Sequence, residues 1–128
     1  MTTKTVVLTE NAPAPMPCLS QGVVVGNMVY VSGSLPIDPK TGKFVEGSIE
    51  EHTIQILKNI SAILVEAGTN IDNAVKVNIF LTDMSNFEAM NKAYETVFNT
   101  GVRPVRTCIA VKALPFGAEV EMEASAHL

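Results

Sequence analysis

Hydrophobic and polar positions alternate along this chain with two periods, and the switches between them outline its elements. Thr5-Val6-Val7-Leu8 reads as a short first strand. Asn11 to Pro17 carries prolines at 13, 15 and 17, which remove backbone donors and favour extended backbone, so this stretch is a crossing loop. Gly22–Val25 and Met28–Ser32 are β-rich runs flanking Gly26-Asn27, the signature of a tight hairpin. Asp38-Pro39-Lys40-Thr41-Gly42-Lys43 is a surface turn. The period then lengthens. Ile49, Thr53, Ile56, Leu57, Ile60, Ile63, Leu64 and Ala67 recur at three- and four-residue steps and form one apolar helical stripe. Ser48 and Glu51 stand at capping-box spacing before it, and Gly68 suits the position just past its end.

Alternation returns from Ala74 to Thr82, with Val75, Val77, Ile79 and Leu81 on one face and Lys76, Asn78 and Phe80 on the other. Ser85 and Glu88 repeat the capping-box spacing ahead of Phe87, Met90, Tyr94, Val97 and Phe98, which predicts a second amphipathic helix ending near Gly101. Its aromatics read as core. Two alternating segments close the chain, Val105 to Lys112 and Glu119 to Ala124, and Leu114-Pro115-Phe116-Gly117 reads as a turn joining them into a hairpin. The order β-β-β-α-β-α-β-β predicts a mixed sheet with two helices on one face. The opposite face, to which Phe80, Cys108 and Ala110 are assigned, lacks a dense charged coat. A face of that kind is expected to meet another subunit, so a homo-oligomer with sites between chains is expected.

Composition narrows the function classes. The 128 residues correspond to one domain spanning 1–128. The formal net charge is −4, with 9 basic and 13 acidic residues and no Trp. No basic stripe or stacking aromatic array is present, so direct nucleic-acid binding is not expected. No apolar run is long enough for a bilayer, so no membrane partner is expected. The first residues show neither a signal-peptide apolar region nor an Arg-rich transit pattern, which makes a cytoplasmic location the expectation, a mitochondrial pool remaining compatible. Cys18 and Cys108 have no CxxC spacing, and His52 and His127 form no metal-ligand pattern, so no metal site is expected. His52 reads as a helix-surface residue. The sequon Asn59-Ile60-Ser61 falls inside the first helix and is discounted.

The residues with most chemical content lie in the last third. Arg106 and Cys108 share a face of one strand; Glu119, Glu121 and Glu123 share a face of the next. A hairpin would set Arg106 across from one of these glutamates, with register open. Such a pair is either an exposed cross-strand salt bridge or an anion binder beside an acid, a kit for a small carboxylate. Cys108 has no histidine nearby in sequence to activate it and reads as a small buried hydrophobe. Ser32-Gly33-Ser34 could offer backbone N–H groups to a ligand, and a strand running into a loop explains it equally well.

The stretch Arg103 to Ala124, with Pro104-Val105-Arg106-Thr107-Cys108, Leu114-Pro115 and Glu121-Met122-Glu123-Ala124, resembles the Rid (RidA/YjgF) family of reactive-intermediate deaminases. Glu10-Asn11-Ala12-Pro13, Val31-Ser32-Gly33, Ile37 to Gly42, Val75 to Phe80 and Asn91-Lys92-Ala93-Tyr94 extend the resemblance over essentially the whole chain, closest to the eukaryotic, fungal-like members. It implies an α/β (α+β), chorismate-mutase-like fold and a homotrimer with a central β-barrel and three clefts between subunits. It implies hydrolysis of enamine or imine intermediates, such as 2-aminoacrylate, 2-iminopropanoate and 2-iminobutanoate, to 2-oxo acids and ammonia, without a cofactor. Carried over by position, Arg106 binds the substrate carboxylate and Glu121 holds the attacking water as general acid/base. The backbone of Cys108 places the water or imine nitrogen, while Ser32 and Gly33 line the cleft. The chain departs from the family where Pro-Tyr-Ser-Gln is usual: in Pro17-Cys18-Leu19-Ser20-Gln21, Leu19 takes the tyrosine position without a hydroxyl. Ser34 and Thr107 are milder departures. They leave a second reading, a protein that binds a small 2-oxo carboxylate without turning it over. A third, endoribonuclease or translation inhibitor, follows family reports and is opposed by the acidic balance.

Overall fold

Six strands form a single sheet in the order β1-β2-β3-β6-β4-β5 in the computed structural model, which describes residues 3–128. The strands are β1 (Lys4–Val7), β2 (Gly22–Val25), β3 (Met28–Ser34), β4 (Ala74–Leu81), β5 (Val105–Ala110) and β6 (Val120–His127); the helices are α1 (Ile49–Glu66) and α2 (Phe87–Glu95). The expected element order holds. All neighbours are antiparallel except β4 and β5, which run parallel across α2, as a strand-helix-strand crossover requires.

Local sequence accounts for the elements. β2 and β3 pair as a hairpin through Gly26-Asn27, and Gly26 takes the positive φ of 57° that a II′ turn needs at its first central position. In α1 the periodic residues Ile49, Thr53, Ile56, Leu57, Ile60, Ile63 and Leu64 are all buried, together with Asn59. The Ser48 backbone N–H donates to the Glu51 carboxylate at 3.1 Å, completing the predicted capping box. At the other end Gly68 N–H donates to Val65 O and Thr69 N–H to Leu64 O, each at 3.0 Å, the two bonds of a Schellman motif with Gly68 at φ 96°. Ile56, Ile60, Val29, Val77, Ile79, Val120 and Ala126, each 0% exposed, belong to one core between α1, α2 and the sheet. Among the described residues no helix is long and apolar enough to cross a membrane.

Four expectations change. The last two strands do not form a hairpin: β6 lies between β3 and β4, and β4 separates it from β5. A short Pro/Gly connection suggested a local pairing, whereas the parallel β4–β5 pair and the antiparallel β4–β6 pair are both non-local. Second, Cys108 and Ala110 sit on the helix-covered face rather than the open one, because β5 pairs Cys108 with core residue Ile79 and Ala110 with core residue Leu81. Third, α2 stops at Glu95 instead of near Gly101. It starts after a 3₁₀ turn, Met84–Asn86, capped by Asp83, whose carboxylate accepts from Ser85 N–H at 2.8 Å, rather than by Ser85 and Glu88. Beyond it, Phe98 N–H still reaches Tyr94 O, and Arg103 Nε donates to Phe98 O at 3.1 Å, closing the tail. Fourth, a register shift between Ala74 and Lys76 turns Ala74 into the core and leaves Val75 exposed.

The open sheet face is apolar at one edge. Val105 is 63% and Ile109 45% exposed on edge strand β5, and Phe80 lies beside Ile109 on the same face. Bare β-branched residues on an unpaired edge form the kind of surface that other chains cover.

Candidate functional site

A cleft of about 710 Å³ opens where the proline loop, the end of β3, the 35–44 loop and the Pro115–Phe116 turn meet the start of β6. Its builders are buried amides. Three prolines leave the first loop short of donors, so its carbonyls need side-chain partners. Gln21 supplies them: Nε2 donates to Thr9 O (3.0 Å) and Pro13 O (2.9 Å), while Oε1 accepts from Thr9 N–H (2.7 Å). The Ser32 hydroxyl donates to Ser20 O at 2.6 Å and so fastens the segment carrying Leu19. On the opposite lip, Asn59 Nδ2 donates to Leu35 O (3.2 Å) and Ile37 O (2.9 Å), and its Oδ1 accepts from Gln55 at 2.9 Å. With its side chain committed and 1% exposed, Asn59 is no glycosylation site.

Glu121 faces this cleft. Its neighbours Val120 and Met122 are both fully buried in the core, so alternation sends Glu121 to the other side of the sheet. Its carboxyl group lies against Gly33: a Cβ there would stand 3.0 Å from Glu121 Cδ, a distance real side chains do not tolerate easily. Glycine at 33 is thus what lets the acid close over the β3 backbone. Burial raises the Glu121 pKa above the ordinary carboxylate value, and the nearby Glu123 charge raises it further. The cleft wall is otherwise largely apolar: Leu19, Met16, Ile37, Phe44 and Phe116 contribute. Phe116 holds a left-handed backbone, φ 59° and ψ 22°, costly for a non-glycine residue and typical of functional loops.

Arg106 is elsewhere. Its β4 neighbour is the core residue Val77, so its side chain leaves the sheet on the helix-covered side, opposite to Glu121. The guanidinium lies 4.9 Å from the centroid of the Tyr94 ring and 5.7 Å from that of Phe87, both on α2. Cys108, two residues on, shares this side and packs against the core. Burial pushes its thiol pKa up, against an opposing pull from Arg106, so it stays protonated near neutral pH.

Of the six residues singled out in the sequence, Leu19, Ser32, Gly33 and Glu121 line one cleft. Arg106 and Cys108 share a face but do not join them. The expected pairing of Arg106 with a glutamate inside one chain is overturned, since it depended on the hairpin that does not form. The only contact between a basic and an acidic side chain at salt-bridge distance among the described residues is His52 with Glu119.

Sequence reasoning passed over three residues here. His52 is not a plain surface residue. Its Nδ1 bonds the Glu119 carboxylate and its Nε2 bonds Val45 O at 2.8 Å, so one ring ties the 35–47 loop to the approach of β6. This also takes Glu119, which precedes β6, out of the expected row of three glutamates. Phe87 and Tyr94 are core residues as read, and they also carry Arg106. Their seven-residue spacing, which puts both on one helix face, was the available signal.

Comparison with known proteins places these features in context. The family model for endoribonuclease L-PSP matches residues 9–128. A Rid-family protein from Yersinia pestis, YyfA, shares 42% identity and superposes with a TM-score of 0.95, over 98% of this chain and all of that one. A structure of TdcF from E. coli with bound serine superposes with a TM-score of 0.92 at 32% identity, over 97% of this chain and 98% of that one. Reactive Intermediate Deaminase A, a chloroplastic protein of Arabidopsis thaliana, is 41% identical over 98% of this chain and 66% of its own length.

Proposed function

This chain belongs to the endoribonuclease L-PSP family, and we propose that it is an imine deaminase, converting 2-iminopropanoate, 2-iminobutanoate and related enamine/imine acids to 2-oxo acids and ammonia. The observation that carries this reading is Glu121: a half-buried carboxyl group, its pKa raised, set against Gly33 in a largely apolar cleft. The named deaminase relative and the serine-bound relative support the substrate class.

Water adds to the electrophilic C2 of the iminium while the Glu121 carboxylate takes one of its protons. The carbinolamine formed then receives that proton on nitrogen. The C2–N bond breaks, ammonia leaves, and loss of the hydroxyl proton completes the C2=O bond. Arg106 offers a planar fork to the substrate carboxylate. Because Arg106 and Glu121 leave opposite faces of their own sheet, the working site takes Arg106 and Cys108 from one copy and Leu19, Ser32, Gly33 and Glu121 from another. The apolar, uncovered edge of β5 supports such an assembly, a homotrimer in this proposal, with sedimentation as its check.

The test supplies 2-aminoacrylate from a serine or threonine dehydratase and follows release of the 2-oxo acid with and without this protein. Acceleration is expected, and Arg106→Ala should remove it. No acceleration by the unmodified protein contradicts the reading. Leu19, 44% exposed on the cleft wall and without a hydroxyl, favours a second reading, a sensor or buffer of 2-oxo acids. Protection against thermal unfolding by 2-oxobutyrate, without turnover, is its signature.

A further inference from the structure

Arg106 is flanked by aromatic rings, not by carboxylates. The guanidinium carbon sits within cation–π range of two rings, 4.9 Å from Tyr94 and 5.7 Å from Phe87. Among the described residues no carboxylate lies within salt-bridge distance of it. The other arginine of this region, Arg103, has spent its Nε–H on the Phe98 carbonyl.

The two rings are firmly seated. Phe87 and Tyr94 stand two turns apart on one face of α2. Tyr94 is 5% exposed and belongs to the core, Phe87 packs against that core, and Phe98 braces Tyr94 with ring centroids 4.6 Å apart. A carboxylate partner would hold a guanidinium in place by occupying its N–H donors. An aromatic face holds it through the π cloud and leaves the in-plane donors free for a ligand.

We infer that Phe87 and Tyr94 are positioning residues: together they form an aromatic cradle that fixes the Arg106 guanidinium in advance, with its donor edge open to a substrate carboxylate. This rests on the role given to Arg106 above and adds the means by which it is performed. The cradle lowers the ordering cost of binding, because the long side chain is already confined before the ligand arrives. It acts through the ring face alone. The Tyr94 hydroxyl is buried without a partner, so it contributes nothing the cradle needs.

The experiment measures 2-oxobutyrate binding by calorimetry for the wild type, Tyr94→Leu, Phe87→Leu and Tyr94→Phe, alongside the NMR resonance of the Arg106 Nε–H. Tyr94→Leu should weaken binding by about ten-fold, a size set by cation–π contributions. In the deaminase assay it should raise KM with kcat largely kept. Tyr94→Phe should bind as the wild type does. The Arg106 Nε–H should show a ring-current displacement in the wild type and in Tyr94→Phe that collapses in Tyr94→Leu. Phe87→Leu, at a less buried position, gives the same test in milder form should Tyr94→Leu fold poorly. Wild-type affinity in both leucine variants overturns the inference, as does an undisplaced Arg106 resonance or a wild type that binds no 2-oxobutyrate. Tyr94-dependent binding without any deamination would uphold the cradle and remove the deaminase reading instead.

Discussion

Glu121 and Arg106 belong to the same proposed site, yet the chain holds them by opposite means. Around Glu121 the walls are loops, and what fixes them is a set of side-chain amides and hydroxyls bonded to backbone carbonyls: Gln21, Asn59 and Ser32. The Arg106 guanidinium instead lies against two rings, Tyr94 in the core and Phe87 packed against it. A loop-built wall can be reshaped by one substitution without touching the core, which would suit the side proposed to meet the variable part of the substrate. A core-built mount resists change, which would suit the side proposed to hold the substrate carboxylate. Burial also raises the proton affinity of Glu121.

The largest expected effect comes from the acid. Glu121→Gln keeps the shape and removes the proton shuttle, so turnover should fall by about 100-fold or more while 2-oxobutyrate binding stays within about two-fold. Stopped assays and calorimetry on the same preparation check this. Equal loss of both would mean that Glu121 binds rather than transfers protons, and the contrast between the halves would shrink.

Asn59→Ala breaks the loop wall from below. It strips the Leu35 and Ile37 carbonyls of their donor in a buried setting, and a loss of about 3 kcal/mol in urea unfolding is expected. Binding should weaken through the loosened lip, while the Arg106 Nε–H resonance stays where it is in the unmodified protein. Movement of that resonance would show that the two halves are not independent.

The smallest effect is in pH. With its pKa raised on folding, Glu121 binds its proton more tightly in the native chain than in the unfolded one. Its contribution to stability is therefore complete below the ordinary carboxylate pKa and is lost as pH rises through the raised value. Glu121→Gln should flatten the fall in urea midpoint as pH rises above the ordinary carboxylate pKa. An unchanged slope would mean that Glu121 is as well hydrated as a surface carboxylate.

Much of this architecture is written locally. The stripe from Ile49 to Leu64, the Ser48–Glu51 box, Gly68 beyond the helix and the Gly26-Asn27 turn are each decided by neighbours within a few positions, and each forms as read. What the chain does not spell out locally is which strand lies beside which. Val105 to Ala110 pairs in parallel with a strand more than twenty positions earlier, and Val120 to His127 slips between β3 and β4. That one difference moved Arg106 and Cys108 to the other face and undid the pairing of Arg106 with a glutamate. The residues proposed for the site came from resemblance. Their division between two faces did not, because alternation says which residues go together but not which side they share with the helices. His52 was missed for a similar reason: both of its partners come from segments outside its own helix.

The central claim is that one working site draws on two copies of the chain, and subunit mixing tests it most directly. Arg106→Ala and Glu121→Gln, each inactive alone, are unfolded together in equal amounts and refolded. If every site joins Arg106 of one copy to Glu121 of the next, random assembly restores about one quarter of wild-type deaminase activity, carried by sites that receive both intact groups. If both groups of each site came from the same chain, no mixture could recover any activity, and a flat result would contradict the account.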